Sequence, residues 1–135
     1  MKKDIHIPPV EGVYVAAMKE WNDDFMQNTW YAYLINDSKD VLETAIIVSS
    51  AKGEINGEEK KTSMLRHAFV KVEPDTAVRI EMIEDSVLQL NNSFMVTYFI
   101  GNTLYDKNYV FRANTINDDN TKLLPVIHKE GILLK

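Results

Sequence analysis

The chain contains no cysteine. That excludes disulfide staples, a thiol nucleophile and thiolate metal ligation. Glycine is scarce: Gly12, Gly53, Gly57, Gly101 and Gly131 are scattered, so no phosphate-cradling loop is present. No serine is flanked by glycines in the nucleophile-elbow pattern. No apolar run approaches the ~20 residues of a membrane helix, and Ile5–Pro9 is too short and broken for a signal-peptide core. Positive charge is also short. Fifteen basic residues against twenty acidic ones leave a net charge of −5, which disfavours a nucleic acid or an anionic membrane as partner. These absences point to a soluble, cytoplasmic protein with no membrane association.

The dominant pattern is a period of two. Val78, Ile80 and Met82 alternate with Arg79 and Glu81, a strand with one wet face. Phe94, Val96, Tyr98 and Ile100 alternate with Met95, Thr97 and Phe99, so this strand is expected to be covered on both sides. Further runs are Val13–Met18, Trp30–Ile35, Val41–Ser50, Met64–Val72 and Tyr105–Phe111. Turn chemistry separates them at Asn22–Asp24, Asp37, Gly53–Glu59, Pro74-Asp75, Asn91-Asn92 and Gly101. Within Gly53–Lys61, Asn56-Gly57 is a favoured two-residue hairpin pair. One short helical turn is expected within Asp85–Leu90. About seven short strands with regular turns predict an all-β, immunoglobulin-like antiparallel β-sandwich, with a closed barrel as the alternative.

At 135 residues the chain is expected to form one domain, 1–135, with its core over about 10–113 and a tail over 114–135. The tail turns apolar at Leu123-Leu124-Pro125-Val126-Ile127 and again at Ile132-Leu133-Leu134. It must pack along its own sandwich or meet a partner.

Candidate chemistry is sparse. His6, His67 and His128 are far apart, so no metal site or cofactor is expected. The acidic pairs Asp23-Asp24, Glu58-Glu59, Glu84-Asp85 and Asp118-Asp119 read as turn formers, because strand neighbours point to opposite faces. Lys60, Lys61, Arg66, His67 and Lys71 form a weak basic patch diluted by Glu58, Glu59 and Glu73. The aromatics Trp21, Tyr31 and Tyr33 are the candidate binding residues, able to stack on a sugar or a base. Trp30, on the opposite face of the same strand, is expected to be the tryptophan between the sheets.

The order Tyr33-Leu34-Ile35-Asn36-Asp37-Ser38, a strand pair, Val72-Glu73-Pro74-Asp75-Thr76, Glu84-Asp85-Ser86-Val87-Leu88 and the strand Phe94–Phe99 carries a resemblance. It is similar to the β-sandwich domain of unknown function that precedes the small MutS-related domain in some bacterial proteins. The likeness covers about half the chain and rests on turn and core residues. It implies a sandwich and an accessory role, with no catalytic residues to carry over, and the MutS-related domain itself is expected to be absent. A phenylalanyl-tRNA synthetase alpha subunit is not supported, since that activity needs a large mixed sheet with arginine-bearing ATP motifs.

Three functional expectations follow. The leading one is a non-catalytic interaction or scaffold module that binds a protein partner or itself. The second is a carbohydrate- or nucleic-acid-binding module using exposed aromatics. The third is an enzyme using His67 with a carboxylate brought near by folding.

Overall fold

The computed structural model describes residues 7–135, so His6 lies outside the described residues. Ten strands occur among them. They are β1 (Val13–Asn22), β2 (Gln27–Asn36), β3 (Leu42–Ile55), β4 (Glu58–Lys61), β5 (Leu65–Val72), β6 (Thr76–Ile83), β7 (Asn91–Ile100), β8 (Thr103–Phe111), β9 (Lys122–Leu123) and β10 (Glu130–Leu134). The seven runs expected from alternation are β1–β3 and β5–β8, and the other three are short. A 3-10 turn, Asp85–Val87, stands where the short helix was expected, and a second lies at Asp118–Asn120.

All strand pairs are antiparallel. One sheet has the order β6-β2-β1-β10-β9. The other has the order β4-β3-β7-β8, with β5 also paired to β3. The seven long strands thus divide β1, β2, β6 against β5, β3, β7, β8, the immunoglobulin-like partition, and the two sheets make an open sandwich rather than a closed barrel. Between them lie Val13, Val15, Ala17, Leu34, Ile47, Phe94, Val96 and Phe111. Trp30 belongs to this core at 6% exposure. Asn56 and Gly57 both take positive φ, 54° and 81°, the geometry a two-residue turn needs to follow strand twist.

The tail packs on its own sandwich. β10 pairs with β1, setting Val15 opposite Leu134 and Ala17 opposite Ile132, which covers an edge of β1 that would otherwise stand open. β9 pairs with β10 through a tight turn in which Leu124 N–H donates to the Lys129 carbonyl at 2.8 Å. Leu124 then packs against Ala16, Met18 and Ile35 on the outer face of the first sheet, joined by Val126 and Ile127. β2 therefore reads apolar on both faces because both faces are covered, one by the opposite sheet and one by the tail.

Two expectations are corrected. β7 is central within its sheet, flanked by β3 and β8, but it is not covered on both sides. Its inner residues Phe94, Val96 and Tyr98 are buried, while Met95 and Phe99 remain 39% and 37% exposed. In β6, simple alternation fails. The register with β2 shifts between Ala32 and Tyr33, so Arg79 pairs with Tyr33 while Glu81 pairs with Ala32. Ile80 is the extra residue of a β-bulge, which returns Glu81 to the inner face instead of leaving it beside Arg79 in water.

Candidate functional site

Three surfaces carry functional potential. The first holds the aromatics expected to bind. Tyr31 and Tyr33 lie on the outer face of β2, opposite Met18 and Ala16 of β1. Tyr31 is only 7% exposed. The Arg79 guanidinium lies 4.0 Å from its ring centroid and 6.0 Å from that of Tyr33. Arg79 also bonds Glu20 at 2.8 Å, and the Tyr33 hydroxyl donates to the same carboxylate. Burial, then that bond, pushes the Tyr33 pKa up, with Arg79 opposing. The Tyr31 hydroxyl accepts from Asn22 at 2.8 Å. The two tyrosines are thus brought together, with a cation on their ring faces rather than open space.

Trp21 is set apart from them. It shares the strand parity of Val13, Val15 and Ala17, and so projects from the other side of the sheet. It stands 55% exposed at the end of β1 and its indole N–H donates to Asp23 at 2.8 Å. Phe25 and Met26 are exposed in the same hairpin turn. Sequence alternation alone could separate Trp21 from the tyrosines only if the β1–β2 register were known.

The second surface is a polar cluster between the sheets. The bulge at Ile80 points Glu81 inward, where its Oε1 accepts from Ser49 Oγ at 2.6 Å and meets His67 Nε2 at 2.7 Å. Ser49 comes from β3, His67 from β5 and Glu81 from β6, so the cluster ties the edges of both sheets. The side chains of His67 and Glu81 are 29% and 17% exposed. A cleft of about 370 Å³ beside them is lined by Ser49, Glu81, Thr62, Ser63 and Phe94. Folding has therefore brought a carboxylate to His67. The order of contacts matters chemically: the carboxylate, not the imidazole, holds the serine hydroxyl. A serine nucleophile needs its base in direct contact and that base oriented by a third group. Here both donors converge on one acceptor, the geometry of a latch. Among the described residues no group of three or more His, Cys, Asp or Glu could hold a metal ion.

The third surface is the outer face of the second sheet. Across strands it carries Ala68 and Val70 on β5, Ile46 and Val48 on β3, Met95 and Phe99 on β7, and Leu104 and Val110 on β8. Val70 is 84% exposed. Thr44, at φ 50°, marks the irregularity between Glu43 and Ile46 that resets β3 against β7 and aligns Glu43 with Phe99. A β-branched residue in that region is strained, and the bulge holds Leu42 in the core while Glu43 faces water. Among the described residues, nothing covers this face as the tail covers the outer face of the first sheet.

Glu81 and the β3–β5–β7–β8 face were not legible as sites in the sequence. The bulge has no glycine or proline to announce it, and Met95 and Phe99 read as buried. No helix among the described residues is long and apolar enough to cross a membrane. No protein-family model, curated protein or solved structure matches this chain.

Proposed function

We propose that this chain is a non-catalytic, cytoplasmic interaction module whose docking surface is the outer face of the β5-β3-β7-β8 sheet. One observation carries the reading: the two outer faces are treated unequally. The first is sealed by Leu124, Val126 and Ile127 of the tail. The second leaves Val70, Met95 and Phe99 in water. A contiguous exposed apolar face with polar flanks is the usual mark of a protein contact. The likeness of Tyr33–Phe99 to an accessory sandwich domain points the same way, and a chain without cysteine suits a reducing compartment.

The test is a site-specific photo-crosslinker placed at Phe99 or at Trp21 in living cells. Adducts from position 99 and none from position 21 are expected. Adducts only from position 21 would move binding to the hairpin tip of Trp21, Phe25 and Met26 and overturn the proposal, as would a failure of position 99 to capture protein.

A further inference from the structure

Resting on that reading, we infer that the occupant of the open sheet face is a second copy of this chain, in a two-fold symmetric stack with the symmetry axis parallel to the strands. Charge placement selects this arrangement. The outer face is apolar at its centre, with Ile46 and Val48 on β3 beside Met95 and Thr97 on β7. Its two lateral edges carry opposite signs. On β5, Arg66 lies level with Val48 and Lys71 level with Glu43. On β8, Asp106 lies level with Thr97 and Asn108 with Met95. On the inner strand β3, Glu43 ends the face between Lys71 and Phe99, and Lys52 ends it on the other side, level with Asn91.

A two-fold axis parallel to the strands lays β5 of each copy over β8 of the other at the same level. Arg66 then reaches Asn108 and Asp106 across the interface, and symmetry makes that contact twice. Lys71 and Glu43 remain side by side at the rim of each copy. The other two-fold stack, with its axis across the strands, lays β5 over β5. It sets the β5 cations Arg66 and Lys71 of one copy against those of the other and leaves both Asp106 carboxylates without a cation. Like charges facing across an interface are penalised, so the first stack is selected over the second.

The available area sets the strength. Four strands about 4.8 Å apart, each contributing about eight residues at roughly 3.3 Å, present on the order of 500 Å² of footprint per copy. Two copies bury about 1,000 Å², the lower bound of a specific interface. The dimer is accordingly a reversible one, not obligate.

Sedimentation equilibrium from about 1 μM to 1 mM protein tests this, the range in which an interface at the lower size limit associates. The expected result is a rise from 15.5 kDa towards twice that mass. Met95→Glu should weaken association at least about 100-fold by placing a charge in the apolar centre. Arg66→Asp and Asp106→Lys should each weaken it about 10-fold, and the double variant should return to within a few-fold of the parent. Unchanged urea midpoints for these outward-facing variants confirm folding. A parent that stays monomeric throughout the range, or a double variant no tighter than the singles, overturns the dimer. The crosslink at position 99 then separates the two readings. An adduct of twice the chain mass supports self-association. An adduct of any other mass refutes the second copy while leaving the docking face standing, and no adduct refutes both.

Discussion

A single methyl group at position 131 should loosen the C-terminal hairpin from the sandwich. A Cβ on Gly131 would lie 2.6 Å from the Ala17 carbonyl oxygen and 2.7 Å from Leu124 Cδ1. The Leu124 methyl can swing, but the Ala17 oxygen is backbone of β1, held by β2 on one side and β10 on the other. Two limits bracket the effect of Gly131→Ala. If β10 stays docked, the strain of overpacking costs about 1–3 kcal/mol. If β10 lifts away, Leu124 and Ile132 return to water, and two such side chains are worth about 3–6 kcal/mol. The expected loss is about 2–4 kcal/mol out of the ~5–15 available to a domain of this kind. Urea unfolding followed by tryptophan fluorescence measures it, with hydrogen exchange at Ile132–Leu134 reporting lift-off. A lifted tail also lowers the urea m-value, because less surface remains to be exposed. Gly53→Ala is the control: its Cβ comes closest to Leu90 Cδ2 at 3.3 Å, a movable side-chain end, and meets the Leu90 and Asn91 backbone only at ordinary contact distances of 3.6 and 3.8 Å. If Gly131→Ala stays within about 0.5 kcal/mol of the parent, the size of an ordinary surface substitution, and its β10 amides stay as protected, the assigned packing of the tail is refuted.

Two buried tyrosines should respond oppositely to losing their hydroxyls. Tyr98 Oη is buried without a hydrogen-bond partner among the described residues, so Tyr98→Phe should be neutral or stabilising by up to about 1 kcal/mol. Tyr109 donates to the Val13 carbonyl, so Tyr109→Phe should cost about 1–2 kcal/mol, both read from urea midpoints. Burial raises both phenolic pKa values, with Tyr105 adding to Tyr98, and Tyr98 and Tyr14 adding to Tyr109. A phenol whose folded pKa lies above its unfolded value of about 10 contributes nothing to pH dependence below that value. Above it the unfolded chain loses protons first, so stability should fall as pH rises beyond about 10. That fall should be shallower in Tyr98→Phe and Tyr109→Phe, and an equal slope in all three proteins would contradict the assignment. In the polar latch, His67→Ala leaves Glu81 with Ser49 as its one side-chain donor among the described residues and should cost about 1–2 kcal/mol. Glu81→Gln, which keeps an acceptor for Ser49, should cost less than Glu81→Ala; equal losses would show that the hydrogen bonds do not hold the sheet edges together.

Much of the architecture was legible because a strand with one buried face prints its burial as a period of two. Trp30–Ile35, Tyr105–Phe111 and the Asn56-Gly57 turn were all read from local chemistry, since a turn type or an alternating face depends on neighbours in sequence. Three features defeated the same reading. Ile80 took an extra place in β6, and a bulge reverses every later side chain without altering composition. Met95 and Phe99 read as buried, because an apolar residue on a sheet looks the same whether the opposing layer is its own chain or another molecule. Trp21 was grouped with Tyr31 and Tyr33 by proximity, while cross-strand register sends it to the other face.

The sequence by itself determined the class of the fold, the seven main strands, the turn at Asn56-Gly57 and the core role of Trp30. All of these follow from short-range alternation and turn propensity. Only the tertiary structure decided that the tail seals one outer face, that Glu81 joins Ser49 and His67, and that the β5-β3-β7-β8 face stays open. Those outcomes depend on which strands meet and in what register, and register is set by the summed packing of residues distant along the chain.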